Sequence, residues 1–305
     1  MRHLIGIEIG GTKLQVVTGD AAGTIVERRS FTVERARGAL GIRRQIEQGL
    51  RDLALKGKPK AVGVGFGGPV DWKTGRTCRS HHIEGWSEFD LAAWLQELTG
   101  APVFVDNDAN VAALGEARRG AGVGFDPVFY VTLGSGVGGG LVVGGEIYHG
   151  ALPGEAELGH VRLDRSGTTV ESRCSGWAVD AKIRALAKKE PSSLLAKLVG
   201  DKPEAEAKHL TAALSQGDAA ARTILKETAA DLALGLSHVT HLLHPQAIIL
   251  GGGLSSVGEP LRAAVERGLR GFIMEAFLPG PQIALTALCE DAVTVGALEL
   301  ARLRR

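Results

Sequence analysis

The stretch VTLGSGVGGGLVVGGE, residues 131–146, is so dense in glycine that its backbone, not its side chains, is what it offers. Gly134, Gly136 and Gly139 satisfy G-x-G-x-x-G, a dinucleotide-binding pattern that requires a strand before it and a helix after it. The strand is present and the helix is not. Leu141, Val142 and Val143 form a short β-prone run that ends at a Gly144-Gly145 turn. The reading is strand, glycine turn, strand, which disfavours a dinucleotide-dependent dehydrogenase.

LIGIEIGGTKLQVVTGD, residues 4–20, repeats that arrangement with its turn at Gly10 and Gly11. Two hairpins of one design, about half a chain apart, point to an internal duplication. A glycine turn presents backbone N–H groups with no Cβ in the way, so two such turns suit the phosphates of a nucleotide. Either hairpin alone would be only a turn.

At 305 residues the chain is long enough for two domains, each with its own core. Lys plus Arg number 35 and Asp plus Glu 34, so no overall charge directs it to nucleic acid or an acidic membrane surface. Cys78, Cys174 and Cys289 lie far apart in sequence, which implies no disulfide framework and fits a reducing compartment. The first apolar run is broken by Glu8, unlike a signal peptide, and no run reaches membrane-spanning length. A soluble cytoplasmic protein is expected.

Periodicity predicts a strand over 24–33, a helix over 38–55, a buried strand over 61–70, and a helix over 89–98 begun near Asp90 and stopped by Gly100. The strand 61–70 also matches G-x-G-x-x-G, which shows how little that pattern decides alone. A strand over 102–106 runs into a helix from about Ala109. GAGVGFDP, from residue 120, reads as a linker. Beyond the second hairpin come a loop-rich region over 148–169, helices within 175–189 and 218–243, the strand AIIL over 247–250 with a third glycine turn, a helix over 259–269, a strand over 282–288 and a helix over 293–304. Strands with intervening helices in both halves argue for an α/β protein of two related domains with a cleft.

VDNDAN sets Asp106, Asn107 and Asp108 where a strand ends and a helix begins, the usual place for ligand groups in α/β sheets; an Asp there also serves simply as a helix cap. ELGH places Glu157 three residues before His160, and Glu171 follows. Carboxylates, an amide and an imidazole are what a polyhydroxylated ligand needs.

EIGGTK, GFGGPV, NDANVAALGEA, TLGSGVGGG, ELGH and IILGGG occur in the order and at the spacing of the ROK family of bacterial sugar kinases, which the chain resembles from about Leu4 to Ala301. The resemblance implies an actin-like, hexokinase-like (ribonuclease H-like) α/β fold of two domains with an interdomain cleft. Residues 1–120 would form a small N-terminal domain, onto which the C-terminal helix, about 290–305, packs back, and residues 121–289 a larger one. It implies ATP-dependent phosphorylation of a hexose, glucose at its 6-hydroxyl first, with N-acetylglucosamine or N-acetylmannosamine as alternative acceptors. A homodimer is expected on the same ground. Gly10, Gly11, Thr12 and Lys13 match the first phosphate turn, Thr132, Gly134, Ser135, Gly136 and Gly138 the second, and Gly251 and Gly252 the adenosine motif. Asp108 matches the catalytic base, and Asn107, Glu157, His160 and Glu171 match sugar-hydroxyl ligands beside the Gly67-Gly68 turn.

The chain also departs from that pattern. Glu8 stands where the family usually has Asp beside Mg2+ and phosphate, His82 where many members have Asn, and Ala156 where Gly is common. The cysteine-rich zinc loop after Glu-x-x-His is missing, so no structural zinc is expected. His238, His241 and His244 lie near a helix end, where the dipole alone favours imidazoles, and are not read as a metal site. A sugar-responsive regulator of this family would carry an N-terminal helix-turn-helix, and this chain starts at its first strand. A non-catalytic sugar-binding relative is the remaining alternative.

Overall fold

The computed structural model describes residues 3–53, 57–78, 85–152, 154, 156–200 and 205–304. The strands are β1 (Leu4–Ile9), β2 (Lys13–Gly19), β3 (Ile25–Thr32), β4 (Val62–Phe66), β5 (Val70–Asp71), β6 (Arg76–Thr77), β7 (Val103–Asn107), β8 (Val128–Leu133), β9 (Val137–Val143), β10 (Glu146–Ile147), β11 (Ala247–Gly251) and β12 (Gln282–Leu285). The helices are α1 (Gly38–Asp52), α2 (Leu91–Thr99), α3 (Asp108–Arg119), α4 (Val170–Cys174), α5 (Gly176–Lys189), α6 (Leu194–Val199), α7 (Leu210–Ser215), α8 (Ala219–Leu243), α9 (Glu259–Arg270) and α10 (Ala292–Arg304). None of the described helices is long and apolar enough to cross a membrane.

The chain divides into two compact units, one of residues 1–124, 140–155 and 288–305, the other of residues 125–139 and 156–287. In unit 1 the sheet runs β3-β2-β1-β4-β7. β1 pairs antiparallel with β2 and parallel with β4, and β4 is parallel to β7. Every residue of LIGIEI is buried, because both faces of the sheet are covered. Ile5, Ile7 and Ile9 point to one face, where they join Ile42 and Ile46 of α1 and Leu91 and Leu95 of α2. Leu4 and Gly6 point to the other, where Leu4 packs with Leu298 and Ala301 of α10.

Helix α10 lies almost on the strand backbones. A Cβ on Gly63 would meet the Ala297 carbonyl oxygen at 1.9 Å, and one on Gly65 would meet a Val293 methyl at 2.5 Å. Two glycines two residues apart thus clear a lane on one sheet face. That packing accounts for the first two glycines of the G-x-G-x-x-G match, Gly63 and Gly65. Helix α2 starts and stops where its signals stand: the Asp90 carboxylate accepts the Ala93 amide, and Gly100 closes the helix at φ 64°.

The second sheet runs β10-β9-β8-β11-β12. β9 and β10 pair antiparallel, while β8, β11 and β12 are parallel. Counted from its own first strand, each sheet has the order 3-2-1-4-5. The duplication announced by the two hairpins therefore extends to the whole sheet. In unit 2, α8 carries an apolar face of Leu232, Leu236 and Val239 and packs on α9, whose buried face is Leu261, Val265 and Leu269.

Candidate active site

In unit 1 the β1–β2 turn closes with the Gly10 amide donating to the Lys13 carbonyl at 2.9 Å. Glu8, buried two residues before the turn, accepts the Gln15 side-chain amide at 3.0 Å and lies 3.3 Å from the Lys13 ammonium. The Glu8 pKa is raised to about 7, chiefly by burial and also by the charge of Asp108, against the pull of Lys13 and Gln15. Lys13 is also held by the Glu290 carboxylate at 3.0 Å. Arg35 donates to the Gly11 carbonyl at 3.1 Å and so braces the turn from outside.

The β7–α3 junction carries the candidate base. Asn107 is the N-cap: its amide oxygen accepts the Ala109 amide at 2.9 Å, and its nitrogen donates to the Gly68 carbonyl at 3.2 Å. Capping therefore falls to Asn107, not to the aspartate after it. Asp108 is the first residue of α3, with Oδ1 accepting the Ala109 amide at 2.8 Å. Its charge sits at the positive end of the helix dipole. Gly67 follows β4 beside it, and an added Cβ there would stand 3.4 Å from Asp108 Oδ2 and 3.1 Å from the Ile9 carbonyl. Glu8, Gly10, Gly11, Lys13, Gly67, Gly68, Asn107 and Asp108 thus share one end of the unit 1 sheet, at the C-terminal ends of β1, β4 and β7. Thr12 is exposed on the same turn.

Unit 2 builds the other half of the candidate set around the β8–β9 turn. The Gly134 amide donates to the Gly136 carbonyl at 3.0 Å, and the Gly134 carbonyl accepts the Gly176 amide at 2.7 Å. Glu171 Oε2 accepts the Val137 amide at 2.9 Å, and a Cβ on Gly136 would fall 2.5 Å from that oxygen. Glycine at 136 is thus the space that Glu171 occupies. Glu157 and His160 are exposed at the two ends of a 3-10 turn, which Gly159 seats on β9; a Cβ there would meet the Val137 carbonyl at 2.2 Å. Gly251 pairs in register with Thr132, and Gly252, at φ 78°, passes so near Leu133 that a Cβ would come within 2.5 Å of its backbone nitrogen. Thr132, Gly134, Ser135, Gly136, Gly138, Gly251 and Gly252 therefore belong to two adjacent turns. His82 lies outside the described residues.

The segment between His160 and Glu171 closes on itself by hydrogen bonds. Asp164 accepts the Ser166 hydroxyl and the Thr168 amide, and both hold its carboxyl below the ordinary range. Thr169 and Ser172 form a reciprocal capping box at the start of α4, the helix that carries Glu171. The Cys174 thiol is buried against the Thr228 carbonyl, and burial pushes its pKa up to about 12. Among the described residues no group of three or more His, Cys, Asp or Glu is placed to hold a metal. His241 Nε2 accepts the Met274 amide at 3.1 Å, and His244 caps α8 at φ 44° while stacking on Phe277.

Three participants escape a reading of the sequence. Glu290 and Arg35 reach the first turn from distant segments, and His149 meets Asp106 from within a stretch without periodicity. The chain matches the ROK family over residues 4–304. It is 32% identical to a glucokinase of Thermotoga maritima, over 99% of this chain and 98% of that one. It is 30% identical to the bifunctional enzyme NanE/NanK of Brucella melitensis, over 98% of this chain and 54% of that protein. In structure it resembles a ROK family glucokinase from Streptomyces griseus in complex with glucose and AMPPNP, with a TM-score of 0.87 at 32% identity over 99% of both chains, which establishes the actin-like two-domain α/β fold. A match that runs through every residue of the two turns, the β7–α3 junction and the Glu171 helix places this chain in the ROK family.

Proposed function

We propose that this chain transfers the γ-phosphoryl group of ATP to the 6-hydroxyl of a hexose, with glucose the first candidate. The observation that carries the proposal is Asp108 at the first position of α3, at the C-terminal end of the unit 1 strands, with Oδ1 on the Ala109 amide and Oδ2 facing the glycine backbone at Gly67. The hydroxyl oxygen would bond to the γ-phosphorus as the bond from that phosphorus to the ADP oxygen breaks, and the hydroxyl proton would pass to Asp108. Asn107, Glu157, His160, Glu171 and the Gly67-Gly68 turn are assigned to sugar hydroxyls. Residues 10–13 and the turn from Thr132 to Gly138 are assigned to phosphates, and Gly251-Gly252 to the adenosine.

Both glycine turns suit that task, because their backbones leave no room for, or no hindrance from, a Cβ. Glu8 would hold Mg2+, which would supply positive charge against the phosphates. Glu8 suits it: a hard cation takes carboxylate oxygen, needs only one or two protein ligands beside phosphate, and stabilises a charge that burial disfavours. Glucose as acceptor is supported by the names of the Thermotoga and Streptomyces relatives. An N-acetylated amino sugar is the second reading, supported by the likeness to NanE/NanK. A panel of hexoses and N-acetylated hexosamines with ATP and Mg2+ decides between them; no ADP released with any of these sugars would leave the sugar-binding, non-catalytic alternative.

A further inference from the structure

We propose that His149 is a positioning residue for the phosphoryl transfer, acting through Asp106 on the turn that presents Asn107 and Asp108. His149 Nε2 lies 2.7 Å from Asp106 Oδ2, and the two side chains are 7% and 5% exposed. A carboxylate only accepts, so Nε2 carries the proton in this contact. The other oxygen of Asp106 accepts the Asn107 amide at 2.8 Å and the Asn110 side-chain amide at 3.0 Å. One carboxylate therefore holds the residue before Asp108 and a residue one turn into α3, and His149 fixes the carboxylate.

The imidazole is itself locked. Its ring lies 4.1 Å from that of Trp72, 15° from parallel, and Trp72 follows the Gly67-Gly68 turn by four residues. Asn107 returns to that turn through its bond to the Gly68 carbonyl. The contacts thus form a closed circuit, Gly68 to Trp72 by the chain, then His149, Asp106 and Asn107, back to Gly68. A buried circuit of this kind fixes geometry more than it adds net stability, and Trp72 enters it by its ring face alone, its buried indole nitrogen having no hydrogen-bond partner among the described residues. Asn107 and the Gly68 turn are assigned to the sugar, whereas Trp72, His149 and Asp106 carry no such role, and His149 is the link contributed from beyond β10.

The test compares His149→Ala and His149→Gln with the parent chain. Glutamine places an N–H at the same number of bonds from Cα as Nε2 but offers Trp72 no ring. Residue-resolved amide exchange reads the turn without reference to activity, and the kinetic arm alone rests on the kinase reading. In His149→Ala, exchange of the Asn107 amide should quicken and kcat should fall, each by about tenfold, the worth of one charge-assisted hydrogen bond. The KM for ATP should stay unchanged. His149→Gln should restore both exchange and kcat while its melting temperature stays below that of the parent chain, because the stacking on Trp72 is lost. Equal exchange in all three proteins, or glutamine no better than alanine, would overturn the inference; absence of turnover in the parent chain would count against the kinase reading while leaving exchange to judge the circuit.

Discussion

Asn107 gives its amide oxygen to the start of α3 and its nitrogen to Gly68, while Asp108 shares the Ala109 amide through Oδ1. Asp108→Asn keeps the shape and an acceptor for the Ala109 amide but removes the base. Turnover should fall by about 10^2 to 10^4 while calorimetric sugar binding persists; near-normal turnover would refute the role. Glu8→Asp should remain active, since the shorter carboxylate restores what the family usually has there. Glu8→Ala should raise the Mg2+ concentration needed for half-maximal rate or abolish activity, and an unchanged Mg2+ titration would make Glu8 a structural partner of Lys13 and Gln15. Position pointed to Asp106, Asn107 and Asp108 alike, because the end of a parallel strand is where ligands gather, and the family resemblance singled out Asp108 among them. Glu290 was not legible, because it reaches Lys13 across 277 residues. Its contact depends on where α10 packs, which no local pattern encodes.

Among the elements, the crossing of α3 and α10 is the tightest. A Cβ on Gly296 would meet the Val111 carbonyl at 1.8 Å, and one on Gly115 would meet the Ala292 carbonyl at 2.5 Å. Backbone faces backbone at both points, so no rotamer change relieves a clash. Gly296→Ala should cost about 1–3 kcal/mol in denaturant unfolding, the range for overpacking, and an unchanged midpoint would mean that the helices part without penalty. Helical periodicity identified both helices, yet it is silent on which glycines mark a crossing and which a turn. The loop before α4 shows the reverse case, where composition is informative. The family resemblance would put zinc-binding cysteines in this loop; here Thr169 caps α4 with Ser172 while the Thr168 amide donates to Asp164. A hydrogen-bonded loop of this kind needs no metal to orient Glu171. Elemental analysis after dialysis should find no zinc, and chelators should leave folding unaffected once Mg2+ is restored; close to one zinc per chain would show that ligands from other segments replace the cysteines.

For the molecule as a whole, the duplicated sheet order was announced by two glycine hairpins, whereas the course of the chain between units was not. Nothing in residues 140–155 signals that they cluster with unit 1. Within that unit Glu299, fully buried, gathers Arg118, Arg119 and Arg302, which ties the end of α3 to α10. Burial alone would raise its pKa; hydrogen bonds from Arg302 and Arg119, with their charges, outweigh it and hold Glu299 below the ordinary range. A carboxyl lowered on folding contributes stability in full above its unfolded pKa of about 4.3 and loses it as the pH falls through the folded value. Glu299→Gln should therefore cost about 2–3 kcal/mol at neutral pH, less than a fully buried pair because the arginines are partly exposed. The gap between variant and parent melting temperatures should close as the pH drops below about 4; a gap independent of pH would assign the effect to packing. The reliance of unit 1 on α10 also has a consequence in time. On the ribosome, the sheet face bearing Leu4 and Val17 must wait for Leu298 and Ala301 until all of unit 2 has been made. At synthesis rates of about 5–20 residues per second that delay is on the order of fifteen to sixty seconds. Unit 2, almost contiguous in sequence, is expected to close first, and the nascent N-terminal segment to be the part of this protein that calls on a holding chaperone.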